Sequence, residues 1–365
     1  MSVAPTPPGP VPGLPAAAAL AMDEGWNTCA VTPERTAVCW GATIVGLLEE
    51  DPENHDIPVV GPESRGRPTP IAGLADAVSV LPSGTPHACA LRADGSVACF
   101  GLNRDGQLGR PAREPMWSGE ALAIEGLPRV ASLAVGHAFA CALVEGGKVL
   151  CWGRNESGQL GDGSLTSRPL PEAVPGLEGV WAIAAGREQA CALLSDGTVR
   201  CWGDMLATRC LDPFTSPTPV PDLAGVVGLS VGWDLVCAVL GGGDVRCWGD
   251  GEGGQLGKGE LVRRFVPVAV AGLDDAVSVE AGDGVACALR RDGTVACWGK
   301  NHCGQVDGGA SGRAYFFEPT PVPGVTDVAE LAVGGMQTCA RRKDGSVLCW
   351  GATTPTQFSA CLAAW

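Results

Sequence analysis

The sequence predicts an all-β ring of seven four-stranded blades, and three observations predict it. Seven times a cysteine is followed, after nine intervening residues, by a second cysteine that opens Cys-Trp-Gly or Cys-Phe-Gly. Seven proline-led or glycine-turn segments alternate with these units. The two kinds of segment are out of phase at the chain ends, which is what a ring closed by overlap requires. A period near fifty residues means a ring or an array rather than a string of unlike domains. Residues 1–365 therefore read as one repeat domain, although length alone would allow two or three.

The paired-cysteine units are 29–41, 89–101, 141–153, 191–203, 237–249, 287–299 and 339–351. In CALRADGSVACFG, Cys89 registers with Cys99, Leu91 with Val97 and Arg92 with Ser96 if Ala93, Asp94 and Gly95 form a three-residue loop. Gly95 then takes the left-handed position of a bulged hairpin turn. Gly147, Gly197, Gly243, Gly293 and Gly345 share that offset, while the first copy departs, with Thr36 read there.

In this register the two cysteines of each copy face each other across antiparallel strands: Cys29 and Cys39, Cys89 and Cys99, Cys141 and Cys151, Cys191 and Cys201, Cys237 and Cys247, Cys287 and Cys297, Cys339 and Cys349. A non-hydrogen-bonded pair would bring them close enough for a disulfide. Buried thiols and metal binding are the alternatives, but a lone pair supplies only two ligands where zinc usually takes four. Sevenfold recurrence favours the disulfide. Cys210, Cys303 and Cys361 lie outside the pairs, so at most one further bridge can form among them.

Ahead of each hairpin stands a segment such as VPGLEGVWAIAAG at Val174 or VPDLAGVVGLSVG at Val220. Each reads as the end of an outer edge strand, a turn and a short apolar inner strand. With the hairpin this makes four strands per unit, the blade of a β-propeller. The last hairpin has no outer strand after it, so a strand from the N-terminus is expected to complete the final blade. The insertion at 43–67 is the longest departure from the period and carries Glu49, Glu50, Asp51, Glu53 and Asp56. It reads as a solvated acidic loop or a partner-specific arm.

With 25 basic against 40 acidic residues the net charge is −15, which repels a polyanion, so no nucleic-acid partner is expected. Fifty-three glycines and 29 prolines beside 45% hydrophobic residues read as turn chemistry between short strands. The longest apolar run, Leu14 to Met22, is too short for a membrane span. The opening MSVAPTPPGPVPGL has no basic region of a secretion signal, which sits against the 17 cysteines. Either a leader lies upstream, or the protein works where thiols stay reduced.

Several hairpins are followed by a loop with Gly-Gln-Leu-Gly: GLNRDGQLG at Gly101, GRNESGQLGDG at Gly153, GDGEGGQLGKG at Gly249 and the weaker GKNHCGQVDGG at Gly299. With the hairpins and proline-led strands this resembles the regulator of chromosome condensation repeat across nearly the whole chain. The resemblance implies a seven-bladed propeller. Members of that family include an exchange factor for the GTPase Ran, a plant UV-B photoreceptor and a secreted bacterial inhibitor of β-lactamases, so fold constrains function weakly. The first, fourth and seventh units lack the Gln loop. Paired cysteines, which the nuclear members do not need, look like a bacterial branch that is extracellular or in the cell envelope; a cytoplasmic location is the alternative.

Five residues before the first cysteine stands a glycine in six copies: Gly84, Gly136, Gly186, Gly232, Gly282 and Gly334. The residues between that glycine and the cysteine diverge sharply. Divergent tips on a constant frame suit a binding ring, with Trp26, His87, His137, Phe139, Arg187, Trp233 and Met336 as candidate anchors. Drift without any partner is the bland alternative. Trp26 and Trp233 resemble the photoreceptor's sensing positions, yet they fall in the first and fifth copies rather than in neighbours, so photoreception is not expected. The hairpin tryptophans Trp40, Trp152, Trp202, Trp248, Trp298 and Trp350 recur too regularly for a site and read as blade packing, Phe100 standing in once.

Four histidines, one tyrosine and no nucleophile, phosphate-loop or metal motif leave catalysis little to work with. The expectation is a noncatalytic, monomeric protein-binding propeller without metal or cofactor, its partner an unknown protein that it inhibits in the sharpest version. The alternative is an exchange factor-like regulator of a small GTPase.

Overall fold

The computed structural model describes residues 6–14, 16–23, 27–41, 67–204, 213–261, 263–353, 357 and 361. The insertion, Trp26 and Cys210 lie outside the described residues. Among those described, 28 strands form seven four-stranded antiparallel sheets arranged as a propeller. Six sheets use consecutive strands. The seventh joins Val328–Val333, Gln337–Arg342 and Val347–Gly351 to the N-terminal strand Thr6–Pro10, which closes the ring as the phase of the repeats required.

Register follows the side-chain period of two and the loop length. Cys89 pairs with Cys99 and Leu91 with Val97, while Arg92 N donates to Ser96 O (2.9 Å) around the three-residue loop. All seven hairpins place cysteine opposite cysteine, with Cα atoms 4.0–4.2 Å apart. Each of these facing pairs is disulfide-bonded: Cys29 with Cys39, Cys89 with Cys99, Cys141 with Cys151, Cys191 with Cys201, Cys237 with Cys247, Cys287 with Cys297 and Cys339 with Cys349. Neither buried thiols nor metal ligation is therefore the state of these fourteen residues. Cys303 pairs with Cys361 as an eighth bridge. In the first hairpin the left-handed residue is Arg35 (φ 65°), not Thr36: position six after the first cysteine is the turn position in every copy.

Two kinds of hydrogen bond, each repeated at several interfaces, fasten neighbouring blades together. At the hairpin end, the turn carbonyl accepts from the residue that opens the following inner strand: Val130 N to Gly95 O (2.9 Å), Val226 N to Gly197 O (3.1 Å), Val328 N to Gly293 O (3.1 Å). At the other end, the indole N–H of a hairpin tryptophan donates to the glutamine carbonyl of the preceding blade. Trp152, Trp202, Trp298 and Trp350 reach Gln107, Gln159, Gln255 and Gln305 at 2.8–3.1 Å. The glutamine side chain meanwhile accepts the N–H two residues upstream, as Gln159 does from Ser157 (2.9 Å), so the loop shapes its own acceptor.

Phe100, which has no N–H to place, follows the first blade, where the Gln loop is missing. The Trp202→Phe variant leaves a buried carbonyl unpaired and is expected to cost about 1–3 kcal/mol in denaturant unfolding, whereas Phe100→Trp gains nothing.

Candidate binding site at the channel mouth

The inner strands surround a channel of about 290 Å³. Its wall mixes apolar side chains, Leu81, Leu133, Ile183, Leu229 and Leu331 among them, with polar groups such as Ser230, Glu280 and Glu330, and it ends where the pre-cysteine glycines of neighbouring blades meet. A Cβ at Gly186 would drive into the carbonyl oxygen of Gly232, and one at Gly232 into that of Gly282. The recurring glycine therefore sets how closely the blades approach the axis. Glu280 and Glu330, on adjacent blades, face the channel. Burial pushes the Glu280 carboxyl up to about 7, against the bond it accepts from Ser230 Oγ (3.0 Å). Burial also raises Glu330, opposed by its contact with Arg341 (2.7 Å).

Above this neck the loop tips of three consecutive blades converge. The Arg187 guanidinium lies over the Trp233 ring at 4.5 Å from its centroid, a cation–π contact between the fourth and fifth blades. From the third blade, the His137 ring meets Trp233 edge-on at 6.1 Å. The backbone supports the arrangement: His137 N donates to Arg187 O (3.0 Å), and Gln189 Nε2 to Trp233 O (3.4 Å). His137 Nδ1 and Arg187 Nε are buried there without a hydrogen-bond partner. Burial, and then the Arg187 charge, holds His137 below the usual imidazole range.

Carboxylates ring this cluster. Burial pushes Asp234 up to about 6, Arg187 opposing, and burial raises Asp283, opposed by Lys300 at 3.6 Å. The mouth thus brings together one aromatic ring and one guanidinium among carboxylates, of which Glu188 and Asp283 are paired with Arg154 and Lys300.

The seven candidate anchors divide sharply. His137, Arg187 and Trp233 are brought together, half-buried, at the mouth. His87, Phe139 and Met336 are buried, at 0%, 0% and 5% exposure, and are not tip residues as expected. His87 and Phe139 open the second strands of their blades, His87–Arg92 and Phe139–Val144, which are buried on both faces between neighbouring blades. His87 Nδ1 bonds Ser83 Oγ (2.7 Å) and Thr85 Oγ1 (2.8 Å), and burial holds the ring down to about 3, so it stays neutral. Met336 packs on Cys303 and Ala352, and no sequence signal foretold that. The channel carboxylates also went unread, because inner-strand pattern alone does not show which side chains face the axis.

The regulator of chromosome condensation (RCC1) repeat matches residues 146–193 and 242–289, and a second profile of the same repeat matches 83–107, 130–159, 182–206 and 276–305. The chain carries RCC1 repeats on a seven-bladed propeller. The RCC1 domain-containing protein RUG3, mitochondrial, of Arabidopsis thaliana is 31% identical over 154 residues, 41% of this chain and 33% of that relative. The ultraviolet-B receptor UVR8 of the same plant is 33% identical over 109 residues, 29% and 24% of the two chains. The matches thus span a third or less of these curated relatives.

Among solved structures, human WBSCR16 superposes with a TM-score of 0.74 at 22% identity, covering 92% of this chain and 87% of that one. Yeast RCC1 (Prp20), in its complex with Kap60, gives 0.73 at 21% identity, covering 95% and 82%. At such identity the likeness concerns the fold. The RCC1 propeller is a protein-interaction fold, and its disulfides suit an oxidising environment. No helix among the described residues is long and apolar enough to cross a membrane.

Proposed function

We propose that the chain is a noncatalytic, monomeric protein-binding propeller of the extracellular space or cell envelope, engaging its partner at the channel mouth and, in the sharpest case, inhibiting it. The observation that carries this reading is the convergence of His137, Arg187 and Trp233 from three successive blades onto one point. An aromatic ring and an arginine already held in place lose little conformational freedom on binding. The variants Trp233→Ala and Arg187→Ala should each weaken the partner recovered from the source culture by about tenfold or more in surface-plasmon resonance. Their melting temperature should stay close to that of the parent. Unchanged affinity for both variants would remove the mouth from the interface. The alternative, a GTPase exchange factor, predicts accelerated release of labelled GDP from a small GTPase, independent of cysteine oxidation; the proposed reading predicts none.

A further inference from the structure

In six of the blades the inner strand opens on a buried residue, then skips one position in its pairing with the second strand before the ladder resumes. The skipped residues are Val78, Ala131, Trp181, Val227, Val277 and Ala329. Ala18, just before the inner strand of the first blade, is exposed in the same way. A bulged residue has no cross-strand neighbour to cover it. Accordingly Val78 is 47% exposed, Trp181 72%, Val227 59% and Val277 49%.

Each of the six sits one residue after the backbone N–H, or two after the carbonyl, that contacts a hairpin turn, as with Val130 N to Gly95 O and Ser195 N to Gly179 O. They therefore lie around the end of the channel opposite Trp233. Exposed strand positions ordinarily take polar residues, yet all seven of these are apolar. Nothing in the blade's own packing uses them.

The surround is acidic. Asp94, Asp196, Asp292 and Asp344 occupy one offset of the hairpin turn, exposed, each accepting the N–H two residues on (2.8–2.9 Å). The turns around Trp181 carry the exposed Glu145, Glu178, Asp196 and Asp222. Three nearby arginines are already engaged: Arg129 with Glu145 (2.9 Å), Arg92 with Asp76 (3.7 Å) and Arg290 with Asp275 (3.0 Å); the exposed Arg35, Arg291 and Lys343 sit on turns of other blades, and Lys148 beside Trp181 leaves acid in excess there.

We infer that this ring, centred on Trp181 and Val227, is a second docking surface whose occupant is a protein segment with an apolar centre and basic flanks. A second copy of the chain would oppose acid to acid, and an anionic membrane would be repelled for the same reason. The surface is independent of the channel mouth and makes the propeller two-sided.

A random dodecapeptide library displayed on phage tests this. It is selected on the oxidised wild-type protein and counter-selected on the triple variant carrying Trp181→Ser, Val227→Ser and Val277→Ser, whose changes are all at exposed positions. The expected result is enrichment of peptides combining Leu, Ile, Phe or Trp with Lys or Arg. Synthesised, these should bind the wild type at least about tenfold more tightly than the triple variant and weaken in high salt. Trp233→Ala should leave them unaffected. The proposal is overturned by selection of acidic peptides, by equal binding to the triple variant, or by loss of binding in Trp233→Ala instead. Binding of the wild type to phosphatidylserine vesicles, or dimerisation in sedimentation that the triple variant abolishes, would also overturn it.

Discussion

Reduction of the hairpin disulfides is expected to unfold the ring. Each closes a loop of sequence separation 10, for which chain-entropy bookkeeping gives about 2–3 kcal/mol. Domain stability is about 5–15 kcal/mol, so losing even three or four bridges consumes it although the contributions do not add. The hairpin cysteines are buried, which makes their reduction wait on local opening. In dithiothreitol alone the far-ultraviolet spectrum should decay slowly; with added urea the loss should be fast and shift to a much lower denaturant midpoint than the oxidised protein shows. Sixteen of the 17 cysteines form the eight bridges, which leaves Cys210. Alkylation of the folded protein should therefore add at most a single mass increment, and after full reduction seventeen. A native protein that takes up fourteen or more would remove the oxidising-compartment reading, and a reduced protein with an unchanged urea midpoint would remove the stabilising role.

The second large effect is a stability that rises as the pH falls through neutrality into the mildly acidic range. Glu280 is raised from 4.5 to about 7 and Asp234 from 3.8 to about 6, in both cases chiefly by burial. The folded state holds these protons more tightly than the unfolded chain, so above pH 7 both groups destabilise the ring, and protonation relieves them as pH falls through their folded values. His87 acts oppositely. Its folded value near 3 keeps it neutral, so stability is lost below about 6.5, where the unfolded histidine takes up a proton. A melting-temperature maximum at mildly acidic pH follows, with a decline on the alkaline side that Glu280 dominates. The Glu280→Gln variant keeps an acceptor for Ser230 Oγ and removes the buried charge. It should be stabilised at pH 8.5 by about 1–3 kcal/mol, the upper figure discounted because the group faces channel water, and by much less at pH 5.5. Equal shifts at the two pH values would show that Glu280 does not titrate as described.

Blade count, hairpin register, the seven disulfides and the closure by Thr6–Pro10 were legible because each depends on neighbours in sequence or on a strict period. A three-residue loop fixes the partner of every residue in the hairpin, and a strict period repeats that register in every blade. His87 and Phe139 are buried because they begin strands covered on both faces by neighbouring blades, which the hairpin alone does not show. Met336 gave no signal either, because its neighbours Cys303 and Cys361 lie on other segments.

The meeting of His137, Arg187 and Trp233 belongs to the ring. These residues stand about one repeat apart in sequence and touch only because similar blades, held by glycine contacts, turn successive tips towards one axis. The exposed ring of Val78, Trp181, Val227 and Val277 likewise depends on a bulge, which turns an apolar strand position outward without changing the sequence pattern. By itself the sequence determined the repeating unit and its covalent bracing, since those are set by local geometry repeated seven times. Which side chains of different repeats share a surface was decided by tertiary closure, because the rotation from blade to blade leaves no trace in the order of residues.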